Sequence, residues 1–535
     1  MQFDWQQPYP TLRTPIFARN VVSTSQPLAA QAGLRILAAG GNAVEAAIAT
    51  AAAMTIVEPI SNGLGSDCFA IIWDGQQLHG LNASGMAPSA WDLQYFERHH
   101  GGKIPQRGWG AVTVPGAVGG WAALHDRFGT LPFEDLLAPA IALAERGYGI
   151  TPFVHRKWGP QADILQSQPG FAQTFLPKGR PPAIGERFSM PAAAATLRRI
   201  AKTKGKDFYL GETAESIVRF AREHGGAMTA QDLAAYRPDW VGTISQDYHG
   251  VTLHEIPPNG QGIAALMALG ILSEFDLTES NVDSIRTQHL LIEAMKAAFS
   301  EVYQHVADPR YMTKVTPADL LDKGRLRDLA KRIKPNQATN FEHGLPPPGG
   351  TIYLTAADRN GMMVSFIQSN YMGFGSGVVV PDVGVSLQNR GHGFSVDPKH
   401  PNCVAPGKRP FHTIIPAFLM RDGKPQMSFG VMGGNMQPQG HLQTLVRMID
   451  FHQNPQAACD APRWKVNRGL ALDVETTMQP DLIEALRDYG HAIMPQPDPY
   501  MDFGAGQFIW RLSDDLDDGY VAASDSRRDG AAVGF

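Results

Sequence analysis

Gly344-Leu-Pro-Pro-Pro-Gly-Gly350-Thr351-Ile-Tyr-Leu-Thr-Ala-Ala-Asp358 is the stretch that decides how this chain is read. Proline lacks the backbone N–H that a helix or an inner strand needs, and the flanking glycines carry no side chain to pack. Residues 344–350 are therefore expected to form an exposed connector. From Thr351 the pattern becomes that of a strand, and Arg359-Asn360-Gly361 turns it back into a second strand, Met362 to Ser369, as an antiparallel hairpin. Thr351 thus opens a strand at the end of a stiff loop. If the peptide bond before it is cut, one residue supplies both a nucleophile, its Oγ, and a base, its new α-amine. That amine titrates near pH ~8 and needs no histidine. Gly129-Thr130 and Gly242-Thr243 lack this setting. A threonine that merely caps a strand is the alternative reading of the same residues.

Outward from this point the two halves differ in character. Downstream, Val378 to Leu387, a hairpin around Asp422-Gly423, and segments near Gln507–Arg511 and Tyr520–Ala523 read as strands, with one helix from Gln439 to Phe451. Upstream the chain is mainly helical. Leu28 to Leu37 stops at Gly40-Gly41, and Asn42 with Glu45 three residues on forms a capping box for the next helix. Ala46, Ala49 and Ala53 fall on one face of that helix and allow close packing on a sheet. Ile292, Met295, Phe299, Val302 and Val306 form a helical core stripe. Phe69 to Trp73 and Gln76 to Asn82, around Asp74-Gly75, read as a hairpin with a primed turn. Helices followed by antiparallel strands indicate an α+β protein with layered sheets.

Composition excludes several classes of function. The chain has 535 residues, 43% apolar and 18% charged, with a net charge of −5 and no Lys/Arg run longer than a pair. That is a large folded core without the basic face of a nucleic-acid binder. The Val44–Val57 run is too short to span a bilayer. No positive and apolar leader is visible at the N-terminus, so a cytoplasmic location is expected and no membrane partner. Cys68, Cys403 and Cys459 have no metal or disulfide spacing and read as free thiols. No G-x-S-x-G elbow, H-E-x-x-H helix or P-loop lysine occurs, and His99-His100 has no further ligand at metal spacing. Gly373-Phe-Gly-Ser-Gly377 reads as a flexible loop lining a site.

Motifs along nearly the whole chain resemble the γ-glutamyltranspeptidase family of N-terminal nucleophile hydrolases, on its transpeptidase-like and cephalosporin-acylase-like branch. They include Asn20-Val-Val-Ser-Thr-Ser-Gln-Pro-Leu-Ala-Ala30, Gly40-Gly-Asn-Ala-Val-Glu-Ala-Ala47, Val114-Pro-Gly-Ala-Val-Gly-Gly120, Phe128-Gly-Thr-Leu-Pro132, Phe208-Tyr-Leu-Gly211, Lys408-Arg-Pro-Phe411, Met432-Gly-Gly434, Asp460-Ala-Pro-Arg463 and Ser524-Asp-Ser-Arg-Arg-Asp-Gly530. The resemblance implies an αββα sandwich, two stacked and mainly antiparallel sheets between helical layers. It implies self-cleavage between Gly350 and Thr351 into a large subunit, 1–350, and a small one, 351–535, interlocked as a heterodimer. Thr351 then matches the nucleophile and Gly433-Gly434 the backbone oxyanion hole. Ser369 matches a second hydroxyl that assists processing, with Asn370 possible after a one-residue shift. No metal or organic cofactor is implied.

The family's glutamate grip is altered. Its arginine for the donor α-carboxylate falls on Ser84 and its aspartate for the α-amine on Gly393, while a serine pair becomes His412-Thr413. Arg390 stands in the neighbouring motif Gln388-Asn-Arg390, as a fork suited to a carboxylate that has no adjacent amine, or else as an ordinary salt bridge. The resemblance therefore implies an acyltransferase or hydrolase of small γ-glutamyl amides, of glutathione-hydrolase type. A glutaryl- or cephalosporin-type acylase is the alternative, and an uncleaved binding protein the reading from outside enzymology.

Overall fold

The computed structural model describes residues 12–278, 280–341, 350–498 and 503–535. The expected connector, 344–349, lies outside the described residues. Two seven-stranded sheets form the centre. The first runs in the order Ala531–Gly534, Val21–Thr24, Gly350–Ala357, Met363–Tyr371, Asp67–Trp73, Leu78–Ala83 and Asp239–Trp240. The second runs Ile16–Ala18, Tyr520–Ser524, Ala505–Arg511, Lys424–Met432, Ala417–Arg421, Val251–Glu255 and Ile244–Tyr248. Every neighbouring pair in both sheets is antiparallel.

Side-chain alternation assigns the layers. Along Gly350–Ala357, Tyr353 and Ala357 enter the core between the sheets with Phe69, Ile71, Ile367 and Phe418. Ile352, Leu354 and Ala356 point the other way, into a helical layer that includes Ala43–Val57, Ala117–Phe128 and Phe133–Arg146. The far face of the second sheet is covered by Ile263–Leu272, Ile285–His305 and Met436–Ile449. This is the αββα sandwich that the resemblance implies, and both faces of the strand Gly350–Ala357 are buried.

Local sequence explains the placement. Asn42 accepts from Glu45 N–H while Glu45 accepts from Asn42 N–H, so the capping box closes and starts the helix Ala43–Val57. That helix packs on Gly350–Ala357 and Met363–Tyr371. At Gly33 of the preceding helix a Cβ would come within 2.2 Å of Thr50 Oγ1, so the two helices meet at backbone distance.

Three local expectations change. The Asp74-Gly75 connection is shifted by one residue, to Gly75-Gln76: Asp74 N–H donates to the Gln77 carbonyl, Asp74 Oδ1 accepts from Gln76 and Gln77 N–H, and the ladder resumes at Trp73 with Leu78. Val378 to Leu387 is broken into two short strands, Val379–Val380 and Val385–Ser386, around the helical turn Pro381–Val383. The glycine-rich loop 373–377 is not flexible: Phe374 is fully buried, and Arg107 donates to the Gly373 and Gly375 carbonyls.

Candidate active site

The site begins with an irregularity between two strands. Gly350 pairs with Tyr371 and Ile352 with Gln368, so the partner strand carries one extra residue opposite Thr351. Such a bulge re-aims side chains, and here it turns Ser369 toward the nucleophile position. Thr351 Oγ1 donates to Ser369 Oγ at 3.2 Å, and Ser369 Oγ donates to the Gly350 carbonyl at 2.7 Å. Tyr371 N–H donates to Ser369 Oγ at 2.8 Å. The hydroxyl of Ser369 thus links Thr351 to the carbonyl of the bond expected to break.

Asn370 faces the opposite side of the strand. Its Oδ1 accepts from Ser66 Oγ at 2.8 Å, in the turn just before Asp67–Trp73, and its Nδ2 has no partner among the described residues. Of the two neighbours that the sequence leaves open, Ser369 meets Thr351.

Next to Ser369, across the following strand pair, stands Asp67, the register partner of Ser369. One step past the pair Cys68–Ala83 comes Ser84. Thr351, Ser369, Asp67 and Ser84 therefore form a row across four adjacent strand ends. Ser84 Oγ is held by Asn82 Oδ1 at 2.7 Å, and the Arg409 guanidinium reaches it at 3.2 Å. Arg409 also binds Asp239 at 2.7 Å, so its charge is spoken for.

The second sheet forms the roof. Thr355 Oγ1 meets Ser428 Oγ at 2.6 Å, and a methyl on Gly430 would come within 2.5 Å of the Tyr353 ring. The next two-residue step places Thr351 level with Met432, directly before Gly433-Gly434. These glycines have φ of +122° and +63°, where a Cβ is strained. The strand ladder ends at Met432–Ala505, and neither glycine N–H has an acceptor among the described residues. The helix Met436–Ile449 starts just beyond, so its positive end lies beside them.

Arg390, His412 and Thr413 complete the shell. Arg390 is 1% exposed and lies 4.7 Å over the Tyr371 ring. Its Nη1 donates to Thr413 Oγ1 at 2.7 Å, while Nε and Nη2 have no partner among the described residues. Tyr371 OH is likewise unpartnered. His412 Nδ1 accepts from Ile414 N–H, which leaves its Nε2 proton for Asp67 Oδ2 at 3.2 Å. Burial, with Arg390 and Arg409 near, holds the imidazole well below its usual range and therefore neutral. Burial pushes the Asp67 carboxyl up to about 7 against the pull of Arg390, and lowers Arg390 to about 10. Gln261, not singled out from the sequence, donates to both the Thr413 and Gly434 carbonyls, at 2.6 and 2.8 Å. Gly393 lies in the helical turn that begins at Arg390.

Among the described residues, His289, Glu293 and His491 bring ligand atoms within 4.8 Å of one another. Those atoms are engaged: the two imidazoles bond each other at 2.9 Å, and Lys296 occupies the Glu293 carboxylate at 2.6 Å. An ammonium on the only carboxylate of the group leaves no place for a cation.

The sequence pattern described as Gamma-glutamyltranspeptidase matches residues 29–535. The chain belongs to the γ-glutamyltranspeptidase family. It is 35% identical to the glutathione hydrolase-like YwrD proenzyme of Bacillus subtilis, over 97% of this chain and 99% of that one. It is 37% identical to the oxamate amidohydrolase proenzyme of Klebsiella pneumoniae, over 95% and 97% respectively. The crystal structure of a cephalosporin acylase from Bacillus halodurans superposes with a TM-score of 0.93 at 47% identity, covering 100% of this chain and 99% of that chain. This γ-glutamyltranspeptidase-family chain is accordingly an N-terminal nucleophile hydrolase whose relatives are made as proenzymes. No helix among the described residues is long and apolar enough to cross a membrane.

Proposed function

We propose that the chain cuts itself at Gly350–Thr351 and then hydrolyses, or transfers, amides whose acyl part carries a free carboxylate and no α-ammonium. In the first step Thr351 Oγ bonds to the Gly350 carbonyl carbon, and Ser369 stabilises the carbonyl oxygen. The C–N bond breaks, the hydroxyl proton ends on the freed Thr351 amine, and water hydrolyses the resulting ester. The products are a large chain, 1–350, and a small chain, 351–535. In turnover the Thr351 amine takes the Oγ proton while Oγ attacks the substrate carbonyl. Gly433 and Gly434 N–H groups receive the oxyanion, the protonated amine passes its proton to the leaving amine, and water or a second amine releases the acyl-enzyme.

The observation that carries the substrate class is the Arg390 guanidinium, buried beside Tyr371 with two nitrogens unpartnered. Burying donors unsatisfied is costly, and a carboxylate satisfies a guanidinium two bonds at a time. The nearby acceptor that could hold an ammonium is Asp67, and its oxygens already serve Gly116 N–H and His412. An α-ammonium would lie beside the Arg390 guanidinium and compete with it for the charge of Asp67. The names of relatives that act on oxamate or on cephalosporins fit this reading; γ-glutamyl amides, the donors of glutathione hydrolases, share the Thr351 chemistry and differ by the ammonium.

The test compares glutaryl-p-nitroanilide with γ-glutamyl-p-nitroanilide. A higher kcat/KM is expected on the first, and Arg390→Gln should lower it by roughly 10- to 100-fold, the worth of a charge-assisted bond. Equal rates on both donors, or indifference to the substitution, would overturn the assignment. Thr351→Ala should abolish processing as well as turnover, leaving one full-length band on a denaturing gel. End-group sequencing of active enzyme should find a new chain starting at Thr351.

A further inference from the structure

Asp67 is set apart from the other polar residues of the site by what it does not touch. It stands in the row with Thr351 and Ser369, yet it bonds neither. Its Oδ1 accepts from Gly116 N–H at 3.1 Å and its Oδ2 meets His412 Nε2 at 3.2 Å. It attracts Arg390 through space, while Arg390 directs its one hydrogen bond at Thr413. The arrangement balances the guanidinium's charge without filling its fork.

We propose that Asp67 is the proton-accepting counter-charge of the carboxylate site, so that binding of a carboxylate donor is accompanied by uptake of one proton at Asp67. This rests on the Arg390 reading above. A carboxylate seated on Arg390 takes over the neutralisation of its charge, and two carboxylates then share one arginine in a dry site. Like charges so placed do not both remain ionised. The proton comes from solvent, the Asp67 O–H bond forms, and the bound state carries the same net charge as the free one.

The charged and titratable groups around Asp67 support this assignment. Arg390 comes from the helical turn after the short strand Val385–Ser386, Arg409 and His412 from the loop before Ala417–Arg421, and Cys68 from its own strand. Tyr209 and Tyr236 face it from the helical layer. Burial holds all three of the latter groups, Cys68, Tyr209 and Tyr236, neutral well past ordinary pH. Arg409 is paired with Asp239, and His412 is kept neutral by burial first and by the neighbouring Arg390 and Arg409 second. Asp67, in register with Ser369 and bonded to His412, which adjoins the Thr413 that Arg390 grips, is thus the group placed to take the proton; burial pushes its carboxyl up to about 7.

The test uses the processed enzyme and the ratio of kcat/KM for glutaryl- over butyryl-p-nitroanilide. Titration of the Thr351 amine affects both donors and cancels in the ratio. With uptake at Asp67 the ratio is level below about pH 6.5 and falls above pH 7, by up to about tenfold per pH unit for one proton. Calorimetry with glutarate, in two buffers of different ionisation enthalpy at pH 7.5, should count a fraction of a proton taken up by the unmodified enzyme. Asp67→Asn should abolish both effects. A large ratio that stays flat with pH overturns the proton coupling and leaves the Arg390 fork standing. A ratio near one at every pH removes the fork itself. Uptake that persists in Asp67→Asn assigns the proton elsewhere and refutes the role of Asp67.

Discussion

Gly433 shows how tightly the site is drawn at the level of single residues. Its φ of +122° suits glycine, and a Cβ there would lie 3.0 Å from Gly504 Cα. Under the proposed mechanism, Gly433→Ala should therefore displace the N–H donor and lower kcat by about 10²- to 10³-fold, the usual effect of losing one oxyanion donor. Its KM should move little, because the donor is used mainly in the transition state. Thr351, Gly433 and Gly434 are singled out by the family resemblance of their motifs; Gly-Thr alone recurs at 129–130 and 242–243, and the structure brings the three residues to one end of the facing sheets. The choice between Ser369 and Asn370 is not, because a bulge decides which of two neighbours faces the nucleophile. Asp67 leaves only a faint trace, a lone carboxylate at the head of the apolar run Cys68–Trp73. Such a residue is recognisable as functional only when His412 and Arg390, distant in sequence, are seen around it.

At the scale of elements, strong local signals survive into the fold and weak ones yield to packing. The Asn42–Glu45 capping box is present, and so is the stripe from Ile292, except that its last member, Val306, is buried one residue past the end of the helix Ile285–His305. Glu45 also accepts from Thr130 and Leu131 N–H, so the box anchors a neighbouring loop as well. Asn42→Ala should cost about 1 kcal/mol of stability, read as a lower urea midpoint with unchanged kcat in the folded enzyme. The apolar run from Val378 to Leu387 contains Pro381, Asp382 and Gly384, and these break it into short pieces. The glycines at 373–377 suggest mobility, but Phe374 fills a cluster of Trp158, Phe171 and Phe175 and fixes the loop. Periodicity cannot reveal an aromatic pocket assembled from two helices, Pro152–Leu165 and Phe171–Phe175, about two hundred residues upstream.

Across the whole molecule, the Ser524–Gly530 motif has a structural role that its sequence does not state. Asp525 accepts from Gly506 N–H and pairs with Arg463 at 2.8 Å and Arg527 at 3.1 Å, while Arg527 binds Glu475 at 2.6 Å. Burial alone would raise the Asp525 carboxyl, but the two arginines hold it far below the usual carboxylate range. A depressed folded value stabilises the protein above the unfolded value, about 3.9, and that contribution is lost as the pH falls below it. Asp525→Asn should destabilise the fold by about 3–5 kcal/mol at neutral pH, since two buried arginines lose a partner. The acid limb of its stability curve should be flatter than that of the unmodified protein, as followed by thermal melts from pH 7 down to pH 3.

The strand order carries a consequence for how such a molecule can be made at all. Val21–Thr24 is bracketed by Ala531–Gly534 and Gly350–Ala357, and Ile16–Ala18 and Val251–Glu255 flank the four central strands of the other sheet. Under the proposed scission, each piece would expose raw sheet edges that only its sibling can cover. Threading must come before scission, so the uncut polypeptide serves as its own jig. Halves synthesised separately should yield little active material unless they meet while still unstructured, whereas the naturally nicked pair should migrate as one body until denaturant pulls it apart.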